Sequence, residues 1–530
     1  MSLVAERYRS ITPSEFFYRN REIAGFSNPA KALYQAVREL VENALDATDT
    51  HGIYPSIKVS IDKVDSGEEV YSITVQDNGV GIPPNYIPQA FGRVLYSSKY
   101  VLRQTRGMFG LGAKMVVLYG QITVGKPVEV TSATRGSSRV YSYKLMIDVA
   151  KNQPIILEES YYPNISKWNG TIVKVYLKGD WTRAKSKILD YIKRTAVVTP
   201  YAEIILKDPE NNIYVYERVT TKMPKSPKEV RPHLRGIDLQ ALKDMIEKSR
   251  SRSLKEFLME EFEGVGEKTA EGIIRAAGFK LNQSIKKMSL DDLKKLLDAI
   301  ANYKDLRRPS ADHLSPIGEE LIKIGLQNIF NPEFVEAITR KPVAYEGHAV
   351  IVELGIAYGG FVPEAPFPEE ILLLRYANKI PLLYDEGSDV SFKVVSNIDW
   401  KNYGVEFPAR LAVLTHVCST KIPYKGVGKE SIADVPEIER EIENGLKELA
   451  RRLRVYLNKK KKLEEEMRRI YTFLKYIPEI SRGLSIIYSS NDSSEKKIYE
   501  EIQKKLFKMA KEKTSITNIR SIDEVVLSVE

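Results

Sequence analysis

Hydrophobic residues recur every three or four positions between Asn28 and Asp49, at Leu33, Val37, Leu40, Val41, Ala44 and Leu45. That period predicts one amphipathic helix with a wide apolar stripe. Asn28 suits the N-cap, and Pro29 suits the first helical position, where its missing N–H would have no partner anyway. Another face carries Glu39, Glu42, Asn43 and Asp46, and the four-residue spacing sets Glu39 beside Asn43. An acid next to an amide on a rigid helix can hold a hydrated hard cation and activate a water. Taken alone, the same face is equally an ordinary solvated one.

The period then changes to two. Ile57–Ile61 and Val70–Val75 alternate and are rich in β-branched residues, which predicts an antiparallel strand pair. The second strand runs into Asp77-Asn78-Gly79-Val80-Gly81-Ile82-Pro83. A polar loop with Tyr96-Ser97-Ser98-Lys99 follows. Then Arg106-Gly107-Met108-Phe109-Gly110-Leu111-Gly112-Ala113-Lys114 opens an apolar helix, Met115–Leu118. Strands are expected at 121–124, 128–134, 139–147, 154–159, 170–175, 202–207 and 212–216, with a helix at 182–197. Residues 1–220 therefore read as one α+β unit with helices on one face of a mixed sheet. Ahead of it, the aromatic arm with Phe16, Phe17, Tyr18 and Phe26 packs either on its own domain or on a partner.

Met223–Pro232 has the proline and lysine content of a linker. Residues 236–306 are purely helical in pattern, and Phe262 to Ile274 reads as helix, Gly-x-Gly turn, helix. Such a turn can present backbone N–H groups to a phosphate, or it can be a plain tight connection. Arg307-Arg308-Pro309-Ser310 marks a boundary. Beyond it come a helix near 316–325 and strand candidates Ala349–Val352, Ala357–Phe361, Ile371–Tyr376, Val390–Val395 and Leu411–Val417. From Val435 to about 475 one long charged helix is expected, its stripe formed by Ile438, Ile442, Leu446, Leu449, Leu453 and Leu457. Its far end, Lys459–Lys462 then Glu464–Glu466, reads as solvated and projecting. Residues 478–530 form a tail with weak helical signals.

Composition narrows the class. A chain of 530 residues exceeds one core. A net charge of +10 favours polyanionic partners, nucleic acid above all. The single cysteine, Cys418, excludes an intrachain disulfide, and five scattered histidines argue against a structural zinc site. With no apolar run long enough for a signal peptide or a membrane span, a cytoplasmic protein without a membrane partner is expected.

Each motif alone is weak. Asp77-Asn78-Gly79 suits a hairpin turn. The second glycine, Gly81, also makes it a place where an acid accepts a purine amine while the ring lies on the backbone. Gly107-x-x-Gly110-x-Gly112 is not a P-loop, because Ala113 precedes Lys114 and Met115 stands where Ser or Thr is needed. Nor is it the dinucleotide fingerprint. It is a Gly-rich loop opening a helix, suited to an anion or simply to a tight turn. Their order is specific. A Glu-x-x-x-Asn helix, Asp-x-Gly-x-Gly at a strand end, a loop, a Gly-rich helix start and a strand beginning Gly170-Thr171 resemble the GHKL family of ATPases, whose α/β sandwich is the Bergerat fold. The resemblance implies ATP and Mg²⁺ as cofactors. It implies Glu39 as the base that polarises the attacking water and Asn43 as the Mg²⁺ ligand. Asp77, helped by Thr171, would bind adenine. Gly107, Met108, Phe109, Gly110, Leu111, Gly112 and Ala113 would wrap the phosphates, with Lys114 nearby. Ser97, Ser98 and Lys99 would belong to a mobile lid.

Lys421-Ile422-Pro423-Tyr424-Lys425-Gly426-Val427-Gly428-Lys429-Glu430 resembles the loop of a transducer domain whose lysine reaches the γ-phosphate. Lys429 is the first choice and Lys425 the runner-up. Together with Asn28–Gln35 and the helical insert, this loop makes nearly the whole chain similar to the B subunits of the topoisomerase VI family (type IIB), most of all to archaeal members. That resemblance implies an α+β multidomain chain. Its parts would be an N-terminal strap at 1–20, a GHKL ATPase domain at 21–228, a helix-two-turn-helix insert at 229–307, a transducer domain with a stalk helix at 308–478, and a tail at 479–530. It further implies an ATP-driven dimer of B chains, a separate A subunit that carries the cleavage tyrosine, a heterotetramer of two A and two B chains, and double-stranded DNA as substrate. The rival readings are a mismatch-repair ATPase clamp and a heat-shock-type chaperone. A sensor kinase would need a phosphoacceptor-histidine helix that His51, His233, His313, His348 and His416 do not supply.

Overall fold

The computed structural model describes residues 10–64, 69–98, 100–107, 110–426, 428–488 and 492–512. The alternating stretches of the first part pair into an eight-stranded sheet. Its strands are β1 (Ser56–Lys63), β2 (Val70–Gln76), β3 (Val128–Ala133), β4 (Arg139–Asp148), β5 (Gln153–Pro163), β6 (Gly170–Lys178), β7 (Glu203–Lys207) and β8 (Ile213–Tyr216). Their order is β5-β4-β3-β6-β2-β1-β7-β8. Only β1 with β7 is parallel, and the remaining neighbours are antiparallel. The register sets Val75 opposite both Val59 and Val173.

The helices of this part are α1 (Pro13–Arg19), α2 (Pro29–Asp49), α3 (Ile87–Gly92), α4 (Gly112–Thr123) and α5 (Trp181–Val198). The stripe on α2 buries as its period requires. Leu33, Val37 and Leu40 join Met115 and Leu118 of α4, Ile188 and Ile192 of α5, and Ile57, Ile73 and Val175 of the sheet in one cluster. Each such side chain contributes about 1.5–3 kcal/mol on burial. Asn28 Oδ1 accepts from Lys31 N at 2.9 Å, so the cap forms as its residue type requires. The described part of the N-terminal arm lies on its own domain. Thr12 and Ser14 hydroxyls donate to Val149 O at 2.7 and 2.8 Å, and Phe17 packs on the core. Residues 1–9 of the expected strap lie outside the described residues.

Residues 236–306 build a core of their own. Helices α6 (Leu239–Lys248), α7 (Leu254–Glu261), α8 (Glu267–Ala276) and α9 (Leu290–Asn302) surround Phe257, Phe262, Ile273, Ile274 and Leu296. The next helix is α10 (Glu319–Phe330), and a six-stranded sheet follows. Its strands are β9 (Phe334–Thr339), β10 (Val343–Tyr345), β11 (His348–Tyr358), β12 (Leu372–Ala377), β13 (Ile380–Pro381) and β14 (Leu411–Ser419). The order is β10-β11-β14-β12-β13, with β9 also on β11. The remaining helices are α11 (Val390–Asn397), α12 (Pro436–Tyr488) and α13 (Asp492–Glu512). The chain divides into two compact units, 1–399 with 406–450, and 400–405 with 451–530. In the first, α12 buries Ile438, Ile442, Leu446 and Leu449. In the second, Leu474 and Ile477 cluster with Ala510.

Several elements differ from their expectation. Residues 121–124 were expected as a strand, but α4 runs to Thr123. The Gln121 side chain bridges to Ile147 with two bonds of 2.9 Å, and Thr123 Oγ1 donates to Tyr119 O at 2.8 Å. Val390–Val395 is helical despite its valines. Asp389 caps it by accepting from Ser391 N and also holds Ile432 N, both at 2.8 Å, and Val390, Val394 and Val395 share its buried face. Tertiary packing overrides β propensity there. The candidate at 349–352 and the first two residues of the one at 357–361 are one strand, β11, which ends at Tyr358; the rest turns through Gly359 and Gly360 at φ 81° and 61°. Gly355 does not break β11, because a Cβ there would lie 2.8 Å from Ile322 Cγ2 on the overlying helix. Strands β9 and β10 had no counterpart in the expectation. The tail's weak helical signals correspond to the continuation of α12 through Pro478 to Tyr488 and to α13.

The C-terminal end of α5 meets α10 at Gly325, where a Cβ would fall 1.7 Å from Val197 O. Val197, Val198 and Tyr201 share a cluster with Leu321, Leu326, Leu374 and Leu414, so the two sheets are joined through this contact. Gly325→Ala must force backbone apart and should lower stability by about 2–3 kcal/mol, read as a lower thermal melting temperature. An unchanged melting curve would contradict the packing.

Candidate active site

The polar face of α2 borders a cavity of about 590 Å³. The described residues to which the resemblance assigns the base, the metal ligand, the adenine contact and the phosphate loop line it. Glu39 and Asn43 come from α2, Asp77 from the end of β2, and Thr171 from the start of β6. Ser97, Ser98, Gly107, Gly110 and Leu111 come from the loops, and Gly112, Ala113 and Lys114 from the first turn of α4. Lys429 lines it too, from beyond β14. Lys99, Met108 and Phe109 lie outside the described residues.

Helix α2 is anchored from behind. Arg38 Nε and Glu42 Oε1 pair at 2.7 Å, both almost fully buried. Burial pushes the Glu42 carboxyl up, against the pull of Arg38, and Lys429 also acts on it. Glu42 therefore belongs behind the cavity wall. Asp46 is also occupied: Arg106 pairs with it at 3.3 Å and with Asp49 at 2.7 Å. Tyr201 Oη adds a bond to Asp49 at 3.0 Å. This Arg106 clamp ties the Gly-rich loop to the last turns of α2.

Asp77 is 6% exposed. Its Oδ1 accepts from Gly79 N at 2.8 Å and from Thr171 N at 3.2 Å. Oδ2 accepts from no described residue. Burial raises this carboxyl to about 6, and the two N–H donors only partly oppose the shift. An acid in this state is suited to receive a donor from a ligand. The loop beyond it is braced from the sheet. Ser132 Oγ accepts from Ile82 N at 2.9 Å and lies 3.1 Å from Thr171 Oγ1, while Asn169 Nδ2 donates to Gly79 O at 2.8 Å. Gly81, at φ 72°, lies so close to the sheet that a Cβ would sit 2.1 Å from Ala133 O. Only glycine fits that backbone.

Glu39 sits against the first turn of α4. A Cβ at Gly112 would be 1.6 Å from Glu39 Oε2. The third glycine of the loop therefore lets the carboxylate reach the N-terminus of α4, where backbone N–H groups lack intrahelical acceptors. Lys429 is 8% exposed and adopts φ 54°, a conformation that few non-glycine residues take. Its neighbour Glu430 pairs with Lys31 at 3.0 Å, fastening the loop to the start of α2. Lys425 turns elsewhere: its Nζ bonds Asp434 Oδ2 at 3.1 Å and the Ser388 carbonyl. The sequence reading missed Gln35, Asp49, Arg106 and Ser132. Gln35 was legible as the residue one turn before Glu39. The other three act across the fold and leave no local signal.

Two family models match the chain. "Histidine kinase-, DNA gyrase B-, and HSP90-like ATPase" covers residues 28–147, and "Topoisomerase VI B subunit, transducer" covers residues 309–469. The B subunit of type 2 DNA topoisomerase 6 from Metallosphaera sedula is 54% identical over 96% of this chain and 96% of its own length. The protein of the same name from Saccharolobus solfataricus is 51% identical over 98% of each. Among solved structures, the ATPase region of Saccharomyces cerevisiae topoisomerase II aligns at 12% identity over 85% of this chain and 97% of that one, with a TM-score of 0.40, too low to carry an argument. At such identity over nearly its full length, this chain belongs to the family of type 2 DNA topoisomerase 6 B subunits, with a GHKL ATPase fold ahead of a transducer.

Proposed function

We propose that this chain is the ATP-hydrolysing B subunit of a type IIB DNA topoisomerase, with Glu39 as the general base and Lys429 as the sensor of the γ-phosphate. One observation carries the reading. A single cavity brings together Glu39, Asn43, Asp77, the Gly-rich start of α4 and a lysine from the transducer. In this reading Asp77 Oδ2 accepts the adenine amine, and Thr171 adds its hydroxyl. The N-terminal N–H groups of α4 meet the phosphates, with Lys114 close by. Glu39 takes the proton of the attacking water, and Lys429 opposes charge on the terminal phosphate.

The donors present fit Mg²⁺ held through Asn43. Asn43 and Gln35 are the side-chain amides on the cavity wall, Gln35 already donating to Glu39, and among the described residues there is no cluster of three or more metal-binding side chains. Such a site suits a cation that keeps its waters and is held mainly by phosphate oxygens. The cation would neutralise phosphate charge as the bond breaks. Lys429 connects the site to the six-stranded sheet and α12, so nucleotide binding and release bias the transducer. The partners are an A subunit that cuts DNA, a second B chain bound in the ATP state with residues 1–20 as its strap, and two DNA duplexes, in a complex of two A and two B chains. Passing one duplex through the other would relax positive and negative supercoils and decatenate DNA. No described helix is long and apolar enough to cross a membrane. The reading places the chain in the cytoplasm, where its DNA substrate lies.

Glu39→Ala should reduce ATP turnover by about 10²–10⁴-fold with nucleotide affinity retained. Lys429→Ala should reduce turnover well below Lys425→Ala; unchanged turnover in Lys429→Ala would move the sensor role to Lys425 or remove it.

The pH dependence of binding tests the adenine contact. In this reading the ionised Asp77 accepts the amine, and burial raises its carboxyl to about 6. Affinity for a non-hydrolysable ATP analogue should therefore be full above pH 6 and fall by up to about tenfold per unit below it. Asp77→Asn should bind weakly and without that pH dependence. A wild-type profile flat to pH 5 would remove Asp77 from the contact.

Co-expression with a candidate A subunit should yield ATP-dependent relaxation of supercoiled DNA. A well-formed complex that hydrolyses ATP but relaxes nothing would sink the topoisomerase reading.

A further inference from the structure

Gln35 lies one helical turn before Glu39 on α2 and is 4% exposed. Its Nε2 donates to Glu39 Oε1 at 3.1 Å. Reversing the amide would set its oxygen against the carboxylate, so hydrogen bonding selects this orientation. The other amide atom, Oε1, is buried and has no hydrogen-bond partner among the described residues. Packing alone does not call for such a side chain, because a leucine or methionine would fill the space without burying an unpaired oxygen. The fold nonetheless makes room for the amide. Gly25 closes the turn after Arg21–Ala24 at φ 90° and lies beside it, where an added Cβ would meet Gln35 Cδ in ordinary contact at 3.4 Å.

The Glu39 carboxylate is thus bonded at Oε1, by the Gln35 N–H, and packed at Oε2 close to Gly112 at the first turn of α4. We infer that Gln35 is a positioning residue for ATP hydrolysis: its amide fixes the rotation of the Glu39 carboxylate so that Oε2 faces the phosphate end of the cavity. A free carboxylate rotates about its last bond, where the torsional wells are broad. A base must meet its water in a narrow geometry. A donor on Oε1 removes that freedom and leaves the second oxygen for the proton. This inference rests on the reading of Glu39 as general base. The charged groups around Glu39 are Arg38 and Glu42 on α2, Lys114 on α4 and Lys429 on the transducer loop.

The test uses the full chain and two variants. Gln35→Leu keeps the volume and loses the donor. It should lower kcat for ATP about tenfold while leaving the Kd of a non-hydrolysable ATP analogue within about twofold. Gln35→Glu keeps the shape and sets a second acid beside Glu39, so ionising Glu39 becomes harder. The acid limb of its kcat–pH profile should move up by about one unit. Glu39→Ala, run in parallel, separates the two claims. If it is inactive while Gln35→Leu turns over at the wild-type rate, or if Gln35→Glu leaves the pH profile in place, Gln35 only packs and the inference is overturned. If Gln35→Leu loses kcat and analogue affinity together, its role is structural and the inference again fails. If Glu39→Ala retains turnover, the general-base reading falls and takes this inference with it.

Discussion

The site depends on one buried cation. Arg106 leaves the Gly-rich loop and pairs with Asp46 and Asp49, two acids near the end of α2, in an environment that is nearly dry. Burial works against its charge, and Asp49 and then Asp46 more than offset that penalty. Removing one member of such a group leaves an uncompensated buried charge, a loss of about 3–5 kcal/mol. Neighbouring residues extend the clamp. The Gln104 amide accepts from Ser315 N at 2.6 Å and donates to Ser315 O at 3.1 Å, and Asn378 Nδ2 donates to Thr105 O at 3.3 Å. Three successive residues of the loop thus hold α2 on one side and the segments around the six-stranded sheet on the other.

A second buried network holds the middle strands of that sheet. Glu353 Oε2 accepts from Ile317 N at 2.7 Å and from His416 Nδ1 at 2.8 Å, while His416 Nε2 accepts from Lys379 N at 3.0 Å. With Nε2 an acceptor, His416 carries its proton on Nδ1, facing an ionised Glu353. The donors from His416 and the two backbone N–H groups outweigh burial and hold the Glu353 carboxyl low. Lys379 Nζ reaches Ser315 Oγ at 2.9 Å, the residue that Gln104 also grips. Glu353, His416, Lys379, Ser315 and Gln104 in the joint between the two sheets therefore bond one another, while Arg106 Nε and Asp49 Oδ1 are buried without a hydrogen-bond partner among the described residues. Partly satisfied networks of this kind cost stability, and satisfied ones specify a single arrangement.

The cavity is built differently. Asp77 is held where its charge is disfavoured, and Gln35 keeps an oxygen without a partner among the described residues. Lys429 takes a backbone conformation that is unfavourable for a side chain with a Cβ. These local costs meet at the cavity wall, although buried polar atoms without a hydrogen-bond partner among the described residues also occur away from it, as at Arg375 Nε and Ser396 Oγ. Such clustering marks a surface arranged for a ligand that supplies the missing contacts.

Much of this was legible along the chain, and the limit has a physical cause. The period of Leu33 to Leu45 dictates an amphipathic α2, Asn28 its start, and the spacing of Glu39 and Asn43 their common face, because helix geometry is local. The order of Asp77, Gly107–Gly112 and Thr171 is likewise written in the sequence, and so is the transducer loop. Local patterns erred at residues 121–124 and 390–395, where side-chain bridges and a cap from Asp389 overrule strand propensity. Ion pairs and amide bonds between distant segments are decided only by folding. Nothing near Arg106 announces Asp46 and Asp49, and nothing near Gln104 announces Ser315. The choice between Lys429 and Lys425 also waited on tertiary structure. Two lysines in one loop have the same chemistry, and only the path of the backbone turns one toward the cavity and the other to Asp434.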